Sequence, residues 1–170
     1  MVILIFSCDL LESITEIDFN ADVKITYAVE LDDEDNNINE AKTLTLTEDN
    51  QVEKYKDKIE DLKIDSVVVY VESYNGPSEL KFDGLLKYSM TKDTIGIDFA
   101  QIDSLDLSEL YEKGLTYRVE YDEGELINIQ QILFDEKEIK VYLVGIVSDM
   151  PAMFKLAVRF YTTIVAQALD

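Results

Sequence analysis

The sequence has no histidine and no tryptophan, a single cysteine, two prolines and six glycines. Without histidine there is no imidazole to act as general base, metal ligand or triad member, so every His-based catalytic scheme is excluded. One cysteine forms neither an intrachain disulfide nor a thiolate zinc cluster. Cations are scarce as well: 15 Lys plus Arg face 36 Asp plus Glu, for a formal net charge of -21. Phosphate backbones need a basic face, so nucleic acid is not an expected partner. There is no glycine-rich phosphate loop, and no serine has a base partner in sequence. Paired carboxylates for glycoside hydrolysis would want aromatic platforms and a cleft, and tryptophan is absent. A non-enzyme is expected. What remains is a chain of 170 residues, 47% hydrophobic, the right size for one domain with a substantial core and too apolar for a disordered acidic tail.

Period-two alternation dominates. Phe19, Ala21, Val23, Ile25, Tyr27, Val29 and Leu31 share one side of a run whose other side is mostly polar, the pattern of a long half-buried strand. Residues 32–40 read as a polar turn region, followed by a short strand with Leu44 and Leu46 inward. Val67 to Val71 is β-rich, and Asn75-Gly76-Pro77 is a turn. Leu80, Phe82, Leu86 and Tyr88 alternate, with Gly84 at a bulge position, and Ile95, Ile97 and Phe99 form another short strand. Ile139, Val141, Leu143 and Val147 precede a turn at Asp149-Met150-Pro151, after which Phe154 to Ala168 is the longest alternating run in the chain.

Helical spacing is rarer. Val52, Tyr55, Ile59 and Leu62 fit an amphipathic helix over residues 50–62. Asp106-Leu-Ser-Glu109 has the form of a capping box, and Gly114 suits the C-terminal cap of the short helix it opens. Leu115 to Tyr121 alternates like a strand. Residues 124–134 fit helical spacing through Leu126, Ile129, Ile132 and Leu133, and are open to either helix or strand. Seven or eight strands with two or three short helical inserts describe a mainly β, antiparallel two-layer sandwich of immunoglobulin-like type.

The N-terminus carries a possible address. Val2 to Phe6 is a five-residue apolar run, too short to span a bilayer and without the basic region of a complete secretory signal. Ile5-Phe6-Ser7-Cys8 has the order of a bacterial lipobox: aliphatic, tolerant, small, then cysteine. On that reading Cys8 is lipidated and becomes the first mature residue, residues 1–18 are signal remnant and tether, and residues 19–170 are a single sandwich domain. The lipid chains would then supply the only membrane contact. The competing reading makes Val2 to Phe6 a buried first strand and Cys8 a small core residue.

Three stretches together resemble small lipoproteins of the Bacteroidetes type with an immunoglobulin-like sandwich. They are the Cys8-Asp9 start, the helix-to-strand passage from Tyr55 to Val69, and the hairpin G-x-V-S-x-x-P-x-x-F formed by Gly145, Val147, Ser148, Pro151 and Phe154. The resemblance implies a shape and a place, the outer membrane or cell surface, and transfers no catalytic residue. It also implies O-glycosylation within Asp-Ser/Thr-aliphatic triplets, which here would fall on Ser66, Thr94 and Ser104; Asp-Ser and Asp-Thr are equally ordinary turn chemistry.

Asp33, Asp35, Asn37 and Asn39 show the odd-numbered oxygen spacing of a calcium loop. Ile38 stands where an EF-hand needs glycine and Leu44 where it needs glutamate, so at most a looser turn site for calcium remains, beside the plainer reading of a solvated hairpin loop. Tyr70, Tyr74, Tyr88, Tyr117, Tyr121 and Tyr161 fall on positions read as outward, either as binding anchors or as cross-strand pairs that only stabilise the sheet. The expectation is a non-catalytic, lipid-anchored envelope module with a protein or glycan partner and no cofactor beyond possible calcium. Two alternatives stand beside it. One is a soluble acidic sandwich binding calcium or carbohydrate through residues 32–39. The other is a structural subunit of a phage or secretion assembly in which Val2 to Phe6 pairs with a neighbouring chain.

Overall fold

The computed structural model describes residues 16–32 and 34–168. Eight strands form two sheets. β1 (Glu16–Leu31), β3 (Ile59–Asn75), β6 (Tyr117–Arg118) and β8 (Ala152–Gln167) make the first, in the order β1-β8-β3-β6. β2 (Asn37–Thr45), β4 (Lys81–Ser89), β5 (Ile97–Asp106) and β7 (Glu138–Val147) make the second, in the order β2-β7-β4-β5. The pairs β1·β8, β2·β7, β3·β6 and β4·β5 are all antiparallel, so the chain behaves as one long hairpin that turns back at the β4–β5 connection and rolls into two layers. Further ladders, β3·β8 and β4·β7, close each sheet. The sandwich expected from the alternation is therefore present, and its strand order is that of a jelly roll. Its immunoglobulin-like character lies in the layering, since immunoglobulin domains connect their strands in a different order.

The inward side of each long strand matches its sequence. In β1, Ala21, Val23, Ile25, Tyr27 and Val29 are buried, and they lie opposite β8 in unbroken register from Glu16↔Gln167 to Leu31↔Ala152. Phe154, Leu156, Val158, Phe160 and Ile164 of β8 are buried likewise. The rings of Phe160 and Phe99 meet across the two sheets with centroids 6.4 Å apart, and Tyr88 packs edge-on against Phe99 at 6.1 Å.

Three short helices complete the fold. α1 (Asn50–Tyr55) starts at Asp49, whose side chain accepts from the amides of Gln51 and Val52. The helix expected over 50–62 ends early, because from Ile59 onward the chain joins the β3·β8 ladder and Leu62 and Ile64 alternate inward. Forming the long β3·β8 ladder outweighs a weak helical stripe. Residues 37–40, read as turn, belong instead to β2, where Ile38 is buried.

α2 (Leu107–Lys113) is capped by Asp106, which accepts from the Glu109 amide at 3.0 Å, and ends at Gly114 in the left-handed region (φ 59°). α3 (Glu123–Glu136) resolves residues 124–134 as helix, with Asp122 as N-cap and Leu126, Ile129 and Leu133 buried. Its Gln130 accepts through Oε1 from the Ile64 amide at 2.8 Å, occupying part of the β3 edge that two-residue β6 leaves uncovered.

One side-chain hydrogen bond crosses the core. The Tyr27 hydroxyl of β1 donates to the Val141 carbonyl of β7 at 2.9 Å. Burial first, and Glu40 second, push this phenol above its ordinary value. The unfolded chain ionises tyrosine near pH 10 while the folded chain keeps the proton, so this contribution is complete below about pH 10 and is lost as pH rises through the folded value. Tyr88, pushed up to about 12 by burial and then by its bond to Glu125, acts in the same window. Tyr27→Phe should cost about 1 kcal/mol at neutral pH and flatten the alkaline fall in stability, as read from denaturant melts at pH 7 and above pH 10.

Candidate functional site

Positions of β8 that face away from the core lie between β1 on one side and β3 on the other, at the middle of the outer surface of the first sheet. Lys24 of β1 lies opposite Arg159 of β8, Arg159 opposite Val68 of β3, and Val68 opposite Arg118 of β6. Residues directly opposite in a ladder share a face. Lys24, Arg159, Val68 and Arg118 thus form one row across all four strands. Arg118 and Arg159 are the only arginines in the chain. Their Cα atoms are two strand spacings apart, about 10 Å.

Arg159 is held in place by aromatic neighbours. It donates to the Tyr70 hydroxyl at 2.8 Å and to the Tyr161 hydroxyl at 3.4 Å. Its guanidinium carbon lies 5.0 Å from the Tyr70 ring centroid and 5.8 Å from that of Tyr161, within cation–π range of both. Hydrogen bonding to Tyr161 first, and then to Tyr70 against the cost of burial, raises the guanidinium's already high value. Beside it Glu72 receives Lys24 at 2.7 Å and the Thr26 hydroxyl at 3.2 Å, and the lysine bond draws its carboxylate below the usual range. Val68 is buried outside the core cluster, a covered apolar floor between the two arginines.

The charge arrangement is unusual for so acidic a chain. Among the described residues all five ion pairs are made by lysines, namely Lys24, Lys56, Lys63, Lys87 and Lys113. Among the described residues neither arginine takes a carboxylate, although the chain has 36 acidic residues to 15 basic ones. A forked, permanently charged donor is suited to planar oxyanions.

The other predicted positions are dispersed. Cys8 and Asp33 lie outside the described residues. Asp35 accepts from the Asn37 amide at 2.9 Å and from the Asn37 side chain at 2.5 Å, which draws its carboxyl down, while Asn37 and Asn39 sit in the β2 ladder. Among the described residues no group of three or more His, Cys, Asp or Glu is placed to hold a metal ion. Ser66 is in β3 opposite Tyr161, and Thr94 is exposed between β4 and β5. Ser104 is exposed in β5 with φ 48°, its amide donating to Asp83 at 2.7 Å.

Of the six tyrosines, Tyr70 and Tyr161 do frame the arginine row. Tyr88 is 2% exposed and points inward, and Tyr74, Tyr117 and Tyr121 pack against the core. The arginines themselves are not among the residues singled out by sequence reading, yet each carries a signal. Arg118 lies between Tyr117 and Val119, and Arg159 between Val158 and Phe160, so alternation alone turns both outward.

Grooves among the described residues lie elsewhere. One, of about 740 Å³, opens at the end of the sandwich between Glu30, Leu31, Asn75, Pro77, Pro151 and Met153. A second, of about 320 Å³, lies between α3 and the β4–β5 connection and is lined by Tyr88, Met90, Ile95 and Ile132. The second also takes in Ser89 and Asp93, where the Ser89 hydroxyl donates to the Met90 carbonyl at 3.0 Å and lies 3.5 Å from the Asp93 backbone carbonyl. Among the described residues no helix is long and apolar enough to cross a membrane. No protein-family model matches the sequence, and no curated protein matches it.

Proposed function

We propose that the protein is a non-catalytic binding or scaffold module of a bacterial cell envelope, held at a membrane by lipid on Cys8, with the outer face of its first sheet turned to a protein or glycan partner. The observation that carries the reading is the row that sets both arginines of a chain with net charge -21 on one sheet face, where among the described residues they take no carboxylate. Support for the anchor is the lipobox order of Ile5-Phe6-Ser7-Cys8 in the sequence. The jelly-roll order is also used by lectin domains, an analogy of fold only. It is used by capsid subunits too, and β1 is a sixteen-residue edge strand, which favours as second reading a structural subunit extended by strand addition. A monomeric mass in solution would contradict that second reading.

The module reading is tested with the full chain carrying Cys8→Ala, which removes the anchor and leaves the sandwich. Mixed with purified envelopes of the native host and sedimented, this protein should pellet with them. Adding Arg118→Gln and Arg159→Gln should reduce the pelleted fraction at least tenfold, while Lys140→Gln on the second sheet leaves it unchanged. Equal pelleting of all three proteins would contradict the reading.

A further inference from the structure

We propose that the Arg159–Val68–Arg118 row binds a carboxylated sugar, a uronic-acid type residue within an otherwise neutral glycan; the proposal rests on the binding-module reading and names its ligand. A carboxylate offers two coplanar oxygens, the acceptor pattern a guanidinium fork fits. Arg159 spends donors on the Tyr70 and Tyr161 hydroxyls and has five N–H groups in all, so donors remain for a ligand while the side chain is already fixed. Arg118 is exposed and reaches the same strip from the other side of Val68. The two partly exposed phenol rings give the apolar C–H face of a sugar ring something to rest on, and the phenol oxygens give its hydroxyls partners.

Two further observations narrow the class. The net charge of -21 repels any dense polyanion beyond the few ångströms over which two arginines act, and screening at physiological salt extends only over about 8 Å. A single carboxylate in a neutral frame avoids that repulsion. A peptide added as a strand at the β1 edge would lie beside Lys24, not over Arg159 and Arg118. On the Arg118 side β6 pairs with Val68 and Val69, the Val119 amide donates to Val67, and Gln130 takes the Ile64 amide.

Because the chain holds two arginines, the arginine Nε–H region of its ¹⁵N spectrum holds two signals. The full Cys8→Ala chain is titrated with glucuronate and, in parallel, with glucose, acetate and N-acetylglutamate. Glucuronate should move both signals along a saturable curve, glucose should move neither, and acetate and N-acetylglutamate should bind at least tenfold more weakly. Arg118→Gln and Arg159→Gln should each weaken glucuronate at least tenfold; Arg118 is exposed, so its variant keeps the test valid if the other does not fold. Equal affinity for acetate and glucuronate would mark the row as an adventitious ion site only and overturn the proposal. Equal affinity for N-acetylglutamate would overturn it in favour of a peptide carboxylate, and no shift at all would overturn it outright. If glucuronate fails while the double arginine variant still loses its envelopes, the ligand class is wrong and the module reading stands; if both fail, both fall.

Discussion

Phe160→Ala should destabilise the protein by about 4 kcal/mol and lower its melting temperature by about 8–16 °C. Phe160 is fully buried in β8, the strand that pairs with both β1 and β3, and its ring meets Phe99 of the opposite sheet. Removing it takes away both the transfer energy of the ring and the contact that joins the two layers. The neighbours sit in rigid ladders and cannot close the cavity, which places the cost toward the upper part of the usual range for such truncations. Phe160→Leu keeps most of the volume and should cost less than about 1.5 kcal/mol. Calorimetry on the two variants separates packing from any general sensitivity of the strand.

Gly145→Val should cost at least about 3 kcal/mol, for the opposite reason. Gly145 of β7 and Gly84 of β4 are direct cross-strand partners, and the buried Phe82 ring lies over the space both leave. A Cβ on Gly145 would stand 2.6 Å from that ring and 2.7 Å from the Gly84 Cα, with the Asp83 carbonyl closer still. Two of these three obstacles are backbone, so no rotamer change relieves them. Gly114→Ala is a useful comparison: nothing lies within 4 Å of its Cβ position, and only the left-handed φ of 59° is strained, a penalty of about 1 kcal/mol. Melting curves in which Gly145→Val matched Gly114→Ala would contradict the close packing of β4 on β7.

Local signals in the sequence carried the elements whose burial is one-sided. The unbroken alternations of β1 and β8 and the Asp106 cap and Gly114 stop of α2 appear where the residues alone put them, while residues 124–134, open to helix or strand in the sequence, form α3. Where two periods compete, tertiary pairing decides. Val52, Tyr55, Ile59 and Leu62 are spaced like a helix, but Ile59 and Leu62 are claimed by the ladder to β8, whose partners lie about a hundred residues further on. Strand order is invisible to periodicity for the same reason, since β1 finds its partner at the far end of the chain. The Gly84–Gly145 contact was half legible, as a bulge glycine in one strand and a motif glycine in the other, with nothing local to bring them together.

The candidate site divides in the same way. Tyr70 and Tyr161 could be read as outward from alternation, and the parity of Arg118 and Arg159 was there to be read as well. That these four residues share one face depends on the register of β3, β6 and β8, which no spacing encodes. Around the loop read for calcium, Asn37 turns its backbone and side-chain amides to Asp35 and then enters the β2 ladder with Asn39, pairings that spacing alone does not encode.

The proposed function requires a lipid anchor at Cys8, which would decide where the arginine face is displayed. Intact-mass spectrometry of the protein recovered from membranes of its native host tests this directly. The account predicts a polypeptide that begins at Cys8 and carries diacylglycerol on its thiol. A mature chain that retains residues 1–7, or one whose Cys8 thiol is free, would contradict it.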